Sequence, residues 1–220
     1  MSTTRHPLTA SFWRTRRSAA VAGIVSALLL LTSMSMIRIA LGDADARTLL
    51  LDDDRRRVVR VGLGLVPFAG IAFLWFIGVV REQIAAVEDR LFSTVFLGSG
   101  LLFLAMLFQG AVTTTELVSL SVGRDVDATF WTYGVGTTHT LVSVYAMRMA
   151  AVFTLSVSTL GLRTGAFPRW VSFLGYAAAL VLLVASGEHK WAQVVFPCWV
   201  LVLSFVILLT RPSTQAGAGS

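Results

Sequence analysis

The feature that most constrains the fold is a series of long apolar segments without charged residues. Between Arg90 and Glu116, for example, every residue is uncharged. About 20 apolar residues are enough for a helix to cross the hydrocarbon core of a bilayer. Strands of a membrane barrel would instead alternate apolar and polar residues in short segments. The sequence therefore predicts an all-α fold, a polytopic transmembrane helical bundle.

Composition and charge support a membrane protein and argue against a nucleic-acid-binding one. Hydrophobic residues make up 55% of the chain and charged residues 14%, whereas soluble domains carry about 25% charged residues. The net charge of +6 comes from arginines that are scattered between apolar segments, as is typical of residues that flank membrane spans. The expected partner is thus the lipid bilayer, and no nucleic acid is expected.

Hydropathy predicts about six spans within one transmembrane domain, residues 18–210. A tail of residues 1–17 precedes this domain. The last segment, 211–220, has the composition of a disordered tail. The spans are expected near 18–41, 58–80, 91–111 (with helix extending toward Leu120), 138–162, 170–187 and 191–210.

The distribution of arginine predicts the orientation of the spans. Four arginines precede the first span, namely Arg5, Arg14, Arg16 and Arg17. Positive residues favour the cytoplasmic side, and the first helix usually dominates. Six spans then place both termini in the cytoplasm. The arginines of "DDDRRR", residues 52–57, work against this assignment.

Arg148 is the main candidate ligand-binding residue, because it lies ten residues or more from either end of the fourth predicted span. A charge near the centre of a span is costly and usually faces the bundle interior or a hydrated cavity. Tyr145 shares its helix face at i−3. Gln109 and Glu116, on the third span, are the candidate polar partners. The structural alternative is an arginine that neighbouring helices satisfy without any ligand.

Residues 113–140 contain a second, weaker candidate. Glu116, Asp125, Asp127 and His139 are all assigned to the outer side of the membrane, and carboxylates and imidazoles are metal ligands. Their spacing matches no known metal motif. The alternative is a solvated segment with interfacial aromatic residues. We expect no cofactor, and no recognised catalytic motif is present.

Two stretches carry a family resemblance. Residues 73–108, "FLWFIGVVREQIAAVEDRLFSTVFLGSGLLFLAMLF", and residues 164–180, "TGAFPRWVSFLGYAAAL", resemble uncharacterised polytopic membrane proteins of bacteria, of the actinobacterial type. The resemblance implies a six-helix protein of the bacterial plasma membrane. It implies no activity and no catalytic residue.

These observations favour a non-enzymatic membrane protein. It would bind a small ligand, a lipid headgroup or a protein partner through an intrahelical cavity that contains Arg148. Alternatives are a small transporter or channel subunit, a membrane-embedded enzyme that uses the outer Glu/Asp/His cluster, and an accessory subunit of a larger complex or a homo-oligomer.

Overall fold

The computed structural model describes residues 8–41, 52–84, 90–120, 127–189 and 191–209, which are almost entirely helical. A π-helical segment joins two of the helices without a break, so the described residues form six helical rods. This confirms the predicted all-α bundle with about six spans. In chain order the elements are α1 (Leu8–Leu41), α2 (Asp53–Ile84), α3 (Arg90–Leu120), α4 (Ala128–His139), the π segment (Thr140–Ala146), α5 (Met147–Thr164), α6 (Arg169–Ala185) and α7 (Ala192–Leu209).

Five of these rods are long and apolar enough to cross a membrane, and α6 is a shorter apolar helix. Several ends differ from the predicted spans. α1 begins at Leu8, inside the predicted tail of residues 1–17, and α4 begins at Ala128, ten residues before the predicted 138. Hydropathy marks only the part of a helix that is apolar, whereas the helix continues wherever its backbone hydrogen bonds and packing persist. The predicted tail 211–220 lies outside the described residues.

The six rods form a closed ring. α1 packs along α2 and against α7, α7 packs against α6, and α6 against α5; α3 then lies between α5 and α2. Hydroxyl groups tie α1 to α2, since Ser26 Oγ donates to the carbonyl of Ala69 at 3.1 Å and Ser33 Oγ to that of Gly62 at 2.8 Å. Small polar residues of this kind commonly join helices in membranes. Because the ring closes, side chains from several helices meet in its interior.

The charged sequence "DDDRRR" is the start of α2. The carboxylate of Asp52 accepts hydrogen bonds from the backbone N–H groups of Asp54 and Arg55, both at 3.1 Å. These bonds satisfy donors that the helix itself leaves unpaired at its N-terminus. Each arginine then pairs with the aspartate three residues before it. This charged sequence therefore forms the N-terminal end of α2.

Residues 113–120 and 128–140 are helical, so α3 extends to Leu120 as the sequence indicates, and most of the segment 113–140 is not a loop. Three consecutive threonines keep the helix intact, because each hydroxyl donates to the carbonyl four residues earlier. The acceptors are Gln109, Gly110 and Ala111, at 2.8 to 3.0 Å. α4 begins at a capping residue, Asp127, whose side chain accepts from the N–H of Thr129.

One half of the ring is filled by phenylalanine. Phe73 is fully buried, and its ring lies 5.3 to 6.0 Å from four other aromatic rings. Such edge-to-face and tilted pairs are favourable beyond the area that they bury. We call this group the phenylalanine core; its six members are Phe73, Phe76, Phe96, Phe103, Phe153 and Phe196.

Candidate functional site: a cavity at the end of α1

A cavity of about 300 Å³ lies at the end of the bundle where α1 finishes. Its walls come from α1, α2, α3, α4, the π segment, the α6–α7 turn and the start of α7. This volume is at the lower end of the range for small-molecule sites, which are mainly apolar with a few polar groups. The wall residues follow the same pattern, being Leu30, Ser33, Met34, Ile37, Arg38, Val66, Leu107, Gly110, Ala111, Thr114, Thr138, His139, Val142, Ser143, Gly187, His189 and Gln193.

Arg38 is the charged wall residue, and the other helices hold it in place. Its guanidinium donates to Oε1 of Gln193 at 3.0 Å. The amide nitrogen of Gln193 in turn donates to Oγ of Ser143. The Trp191 ring lies 5.9 Å from the guanidinium carbon, within reach of a cation–π interaction. The network joins α1, α7 and the π segment, and it fixes which way the Gln193 amide points.

The π segment brings Ser143 into this network. It runs for seven residues between α4 and α5, and such wider turns are rare and often occur at functional sites. Ser143 is buried, and Val142 packs against Gly110 of α3. A β-carbon at Gly110 would come within 2.5 Å of Val142 Cγ2. Glycine at this position therefore lets the π segment approach α3 and line the cavity.

The remaining polar wall groups are hydroxyls and imidazoles. Thr138 Oγ1 is buried and has no hydrogen-bond partner among the described residues. His139 and His189 also line the wall, and both residues are exposed. No aspartate or glutamate is among the described wall residues. The described wall therefore carries one arginine together with several polar side chains.

Arg148 lies outside this cavity, and the expectation that it faces the bundle interior is wrong for the described structure. Its side chain is exposed, as is that of Tyr145, at 52%. Both point away from the ring, on the same side of the helix. Arg148 remains a predicted ligand residue only for a molecule that approaches the bundle from outside, such as a lipid headgroup.

Arg148 can lie outside the bundle interior because the helical rod that carries it is longer than a single span. α4, the π segment and α5 together run from Ala128 to Thr164, so the middle of this rod need not be the middle of the membrane. A β-carbon added at Gly187, in the α6–α7 turn, would lie 3.3 Å from Cγ2 of Val144. That turn is only four residues, or about 6 Å, from Arg148 along the axis. Arginine side chains can span such a distance by snorkelling.

Gln109 and Glu116 do not meet Arg148. Both are exposed on α3. A β-carbon added at Gly134 would touch Leu117, and one at Gly100 would touch Phe153, so α3 runs antiparallel to the α4–α5 rod. By this register Glu116 lies more than about 15 Å from Arg148 along the bundle axis.

The predicted metal ligands are also not assembled. Asp127 and His139 stand at opposite ends of α4, twelve residues or about 18 Å apart. Asp127 caps α4, and Glu116 is exposed on α3. Asp125 lies outside the described residues. Within the described part of the chain, no group of three or more metal-ligating side chains comes together.

Sequence reasoning missed Arg38, Gln193 and Ser143 as site residues. Arg38 is three residues from the end of the first span, where an arginine is ordinarily a membrane-flanking residue. One available signal was the amide of Gln193 at the start of the last span, on the same side of the membrane as Arg38. That signal becomes meaningful only when α1 and α7 are known to be neighbours.

Comparison with known proteins adds no relative to this picture: no family model, no curated protein and no solved structure matches this chain.

Proposed function

We propose that this chain is a ligand-binding protein of the membrane, and that the cavity beside Arg38 is its binding site. The ligand is a small, mainly apolar molecule with a polar group that accepts hydrogen bonds. Arg38 binds the polar group, and the apolar walls hold the rest. No catalytic role is proposed for the wall residues.

One observation carries this proposal. Arg38 is only partly buried and lines the wall of a largely apolar cavity. A volume of about 300 Å³ adjoins this residue. Apolar cavities with a few convergent polar groups are the usual form of small-molecule sites.

The rest of the bundle favours binding over transport. Below the cavity the phenylalanine core fills the ring, with Phe103 and Phe196 centred 4.8 Å apart. An ion path would require polar groups or water through this region. The cavity therefore resembles a closed-ended pocket.

We further propose a bacterial plasma membrane location with both termini in the cytoplasm, and membership of the uncharacterised actinobacterial-type family. The arginines before the first span support the orientation. The two resembling stretches, 73–108 and 164–180, support the family. On this orientation the Arg38 cavity opens toward the outer leaflet.

Blocking the cavity tests the proposal. Ala111 lines the cavity and is partly buried, whereas Ala105, on the same helix, is exposed. The thermal stability of the purified protein in phosphatidylcholine nanodiscs would be measured with and without 1-decanol, a neutral apolar probe. Binding to the folded state alone raises stability by about 2.7 kcal/mol at a probe concentration 100 times Kd.

We expect Ala111→Phe to abolish this stabilisation and Ala105→Phe to preserve it. Both variants add the same side chain to α3, so they share any effect on insertion. Equal stabilisation of the two variants would mean that the probe acts through the lipid, and it would rule out the cavity as the binding site.

A further inference from the structure

We propose that the lipid-facing surface of α5 is a specific binding site for an anionic phospholipid. The phosphate of the lipid binds Arg148 and Tyr145, and one acyl chain lies along the half-buried face of α5 below them. This site lies outside the ring of helices and is separate from the cavity beside Arg38. The site therefore does not depend on the function proposed for that cavity.

Arg148 carries a positive charge on the outside of the bundle. Its side chain is exposed, and it makes no ion pair or hydrogen bond with another described side chain. A charge on a lipid-facing surface is costly unless it reaches the headgroup layer or meets an opposite charge. An anionic headgroup provides the opposite charge in the layer that the side chain can reach.

Tyr145 and Arg148 lie at a depth where one headgroup can reach both. Tyr145 follows Val144, the residue closest to a β-carbon built at Gly187 in the α6–α7 turn. Turns between spans lie at the membrane surface, where their backbone groups can bind water, and tyrosine is common at this level. Arg148 is three residues, or about 4.5 Å, deeper on the same face. The phenol and the guanidinium can therefore donate to the oxygens of one phosphate, which arginine binds through two parallel N–H groups.

Below the arginine, α5 presents a recessed strip toward the lipid. Val152, Leu155 and Thr159 continue the same face at intervals of three and four residues, and all three are half-buried. α5 packs against α3 on one side and α6 on the other. Outward side chains of these neighbours, such as Leu101 and Leu180, are exposed. The strip between them is a shallow groove that suits an acyl chain.

Hydrogen bonds at the far end of this groove leave its surface apolar. The hydroxyl of Thr159 donates to the carbonyl of Leu155 at 2.8 Å, and Oη of Tyr176 lies 2.9 Å from Oγ1 of Thr159. These hydroxyls already have partners, so an acyl chain that covers them leaves no polar group unpaired. From Arg148 to Thr159 is eleven residues, or about 16 Å. Half of a hydrocarbon core is about 15 Å thick, so the groove is as long as one leaflet is deep.

The charge of Arg148 favours a headgroup that is anionic as a whole. Phosphatidylcholine carries a quaternary ammonium that neutralises its phosphate, whereas phosphatidylglycerol carries no cation. One arginine near a membrane surface favours anionic lipid by about fivefold. Glu188, in the α6–α7 turn, is exposed, and salt screens the effect of such a charge on its surroundings.

A lipid fits this face better than a second copy of the chain does. In a two-fold dimer each residue lies near its own counterpart, so a dimer formed here would bring two Arg148 side chains together. These like charges would repel each other. A phospholipid instead brings the opposite charge.

Photolabelling that is resolved by residue tests the site. The purified protein is placed in phosphatidylcholine nanodiscs that contain a trace of phosphatidylglycerol or phosphatidylcholine with a diazirine in one acyl chain. After irradiation and proteolysis, mass spectrometry measures the label on residues 152–159. This label is normalised to that on residues 21–28 of α1, which include the exposed side chains of Val21, Val25 and Leu28.

We expect labelling from phosphatidylglycerol to exceed that from phosphatidylcholine by about fivefold. Arg148→Gln should bring this ratio close to one, because the headgroup then loses its charged partner. Arg148→Lys keeps the charge and should retain a ratio between these two values. Arg169→Gln removes an exposed arginine at the other end of the bundle and should leave the ratio unchanged.

Two further pairs of variants test the groove and its independence from the cavity. Val152→Phe fills the groove and should lower the label on residues 152–159 from both lipids. Val184→Phe adds the same ring to an exposed position on α6 and should not lower it. Ala111→Phe fills the cavity beside Arg38, whereas Ala105→Phe does not, and both should leave the labelling ratio unchanged. The lipid site and the cavity can therefore fail separately.

Three outcomes would overturn the lipid site. Equal labelling by the two lipids on the unaltered protein would exclude a preference for an anionic headgroup, whether or not any variant folds. A fivefold ratio that persists in Arg148→Gln would show that the headgroup binds elsewhere. Absence of label on residues 152–159 from both lipids would show that another protein chain covers this face of α5.

Discussion

The two halves of the bundle interior differ in what fills them. In one half, six phenylalanine side chains with at most 1% exposure occupy the space inside the ring. In the other half, the same helices leave a cavity of about 300 Å³ and place an arginine, a glutamine and hydroxyl groups around it. α2, α3 and α7 contribute to both halves. The difference therefore comes from side chains and not from a change of architecture.

This contrast shows how a membrane bundle can combine stability with a binding site. Helix association in lipid depends on van der Waals packing and interhelical hydrogen bonds, because apolar side chains gain little by leaving lipid for protein. The phenylalanine core supplies the packing. The Arg38–Gln193–Ser143 network supplies hydrogen bonds across the half that is less tightly filled.

The largest expected effect on stability comes from removing a side chain of the phenylalanine core. Phe73→Ala removes a fully buried ring that touches four others, and we expect it to cost about 3 to 5 kcal/mol. Phe68→Ala is the matched control on the same helix, since Phe68 is 63% exposed. The free energy of unfolding in mixed micelles measures both. Similar losses in the two variants would refute the idea that this half carries the stability.

A smaller loss of stability is expected from a substitution in the half that contains the cavity. In Gly110→Ala the new β-carbon would overlap Val142 on the π segment, and overpacking of this kind costs about 1 to 3 kcal/mol. Gly98→Ala on the same helix meets no atom within 4 Å among the described residues, and we expect it to be neutral or slightly stabilising. Unfolding in mixed micelles compares the two. An equal effect would show that Gly110 does not position the π segment.

The smallest expected effect is at Arg148, which belongs to neither half. Because its side chain is exposed, Arg148→Gln should change the free energy of unfolding by no more than about 0.5 kcal/mol, as is usual for surface positions. Mixed-micelle unfolding again provides the measurement. A loss above 1.5 kcal/mol would indicate that Arg148 is held by a partner inside the bundle.

Most of the fold could be predicted from the sequence, because apolar segments of sufficient length have few structural options in lipid. The helical extensions were harder to predict. Asp52 and Asp127 are helix caps, and Thr113, Thr114 and Thr115 bond back along α3. Each of these polar residues is equally compatible with a loop until its backbone partner is known.

The candidate site could not be predicted for a different reason. Sequence position gives the depth of a residue along its helix but not the direction in which its side chain points. The sequence places Arg148 near the middle of a long apolar segment and Arg38 near the end of one. The order of helices around the ring, with α1 beside α7, makes Arg38 a cavity residue, and no local pattern encodes that order.

The π segment has one more consequence for this chain. Adding one residue to a turn rotates everything after it by about 100° relative to an uninterrupted α-helix. Thr138 can thus look into the cavity while Arg148, ten residues later, looks outward. Deleting a single residue between Thr140 and Ala146 would rotate Arg148 by about 100° relative to Thr138. The wider turns of the π segment therefore set the direction of the Arg148 side chain relative to the cavity residues of the same rod.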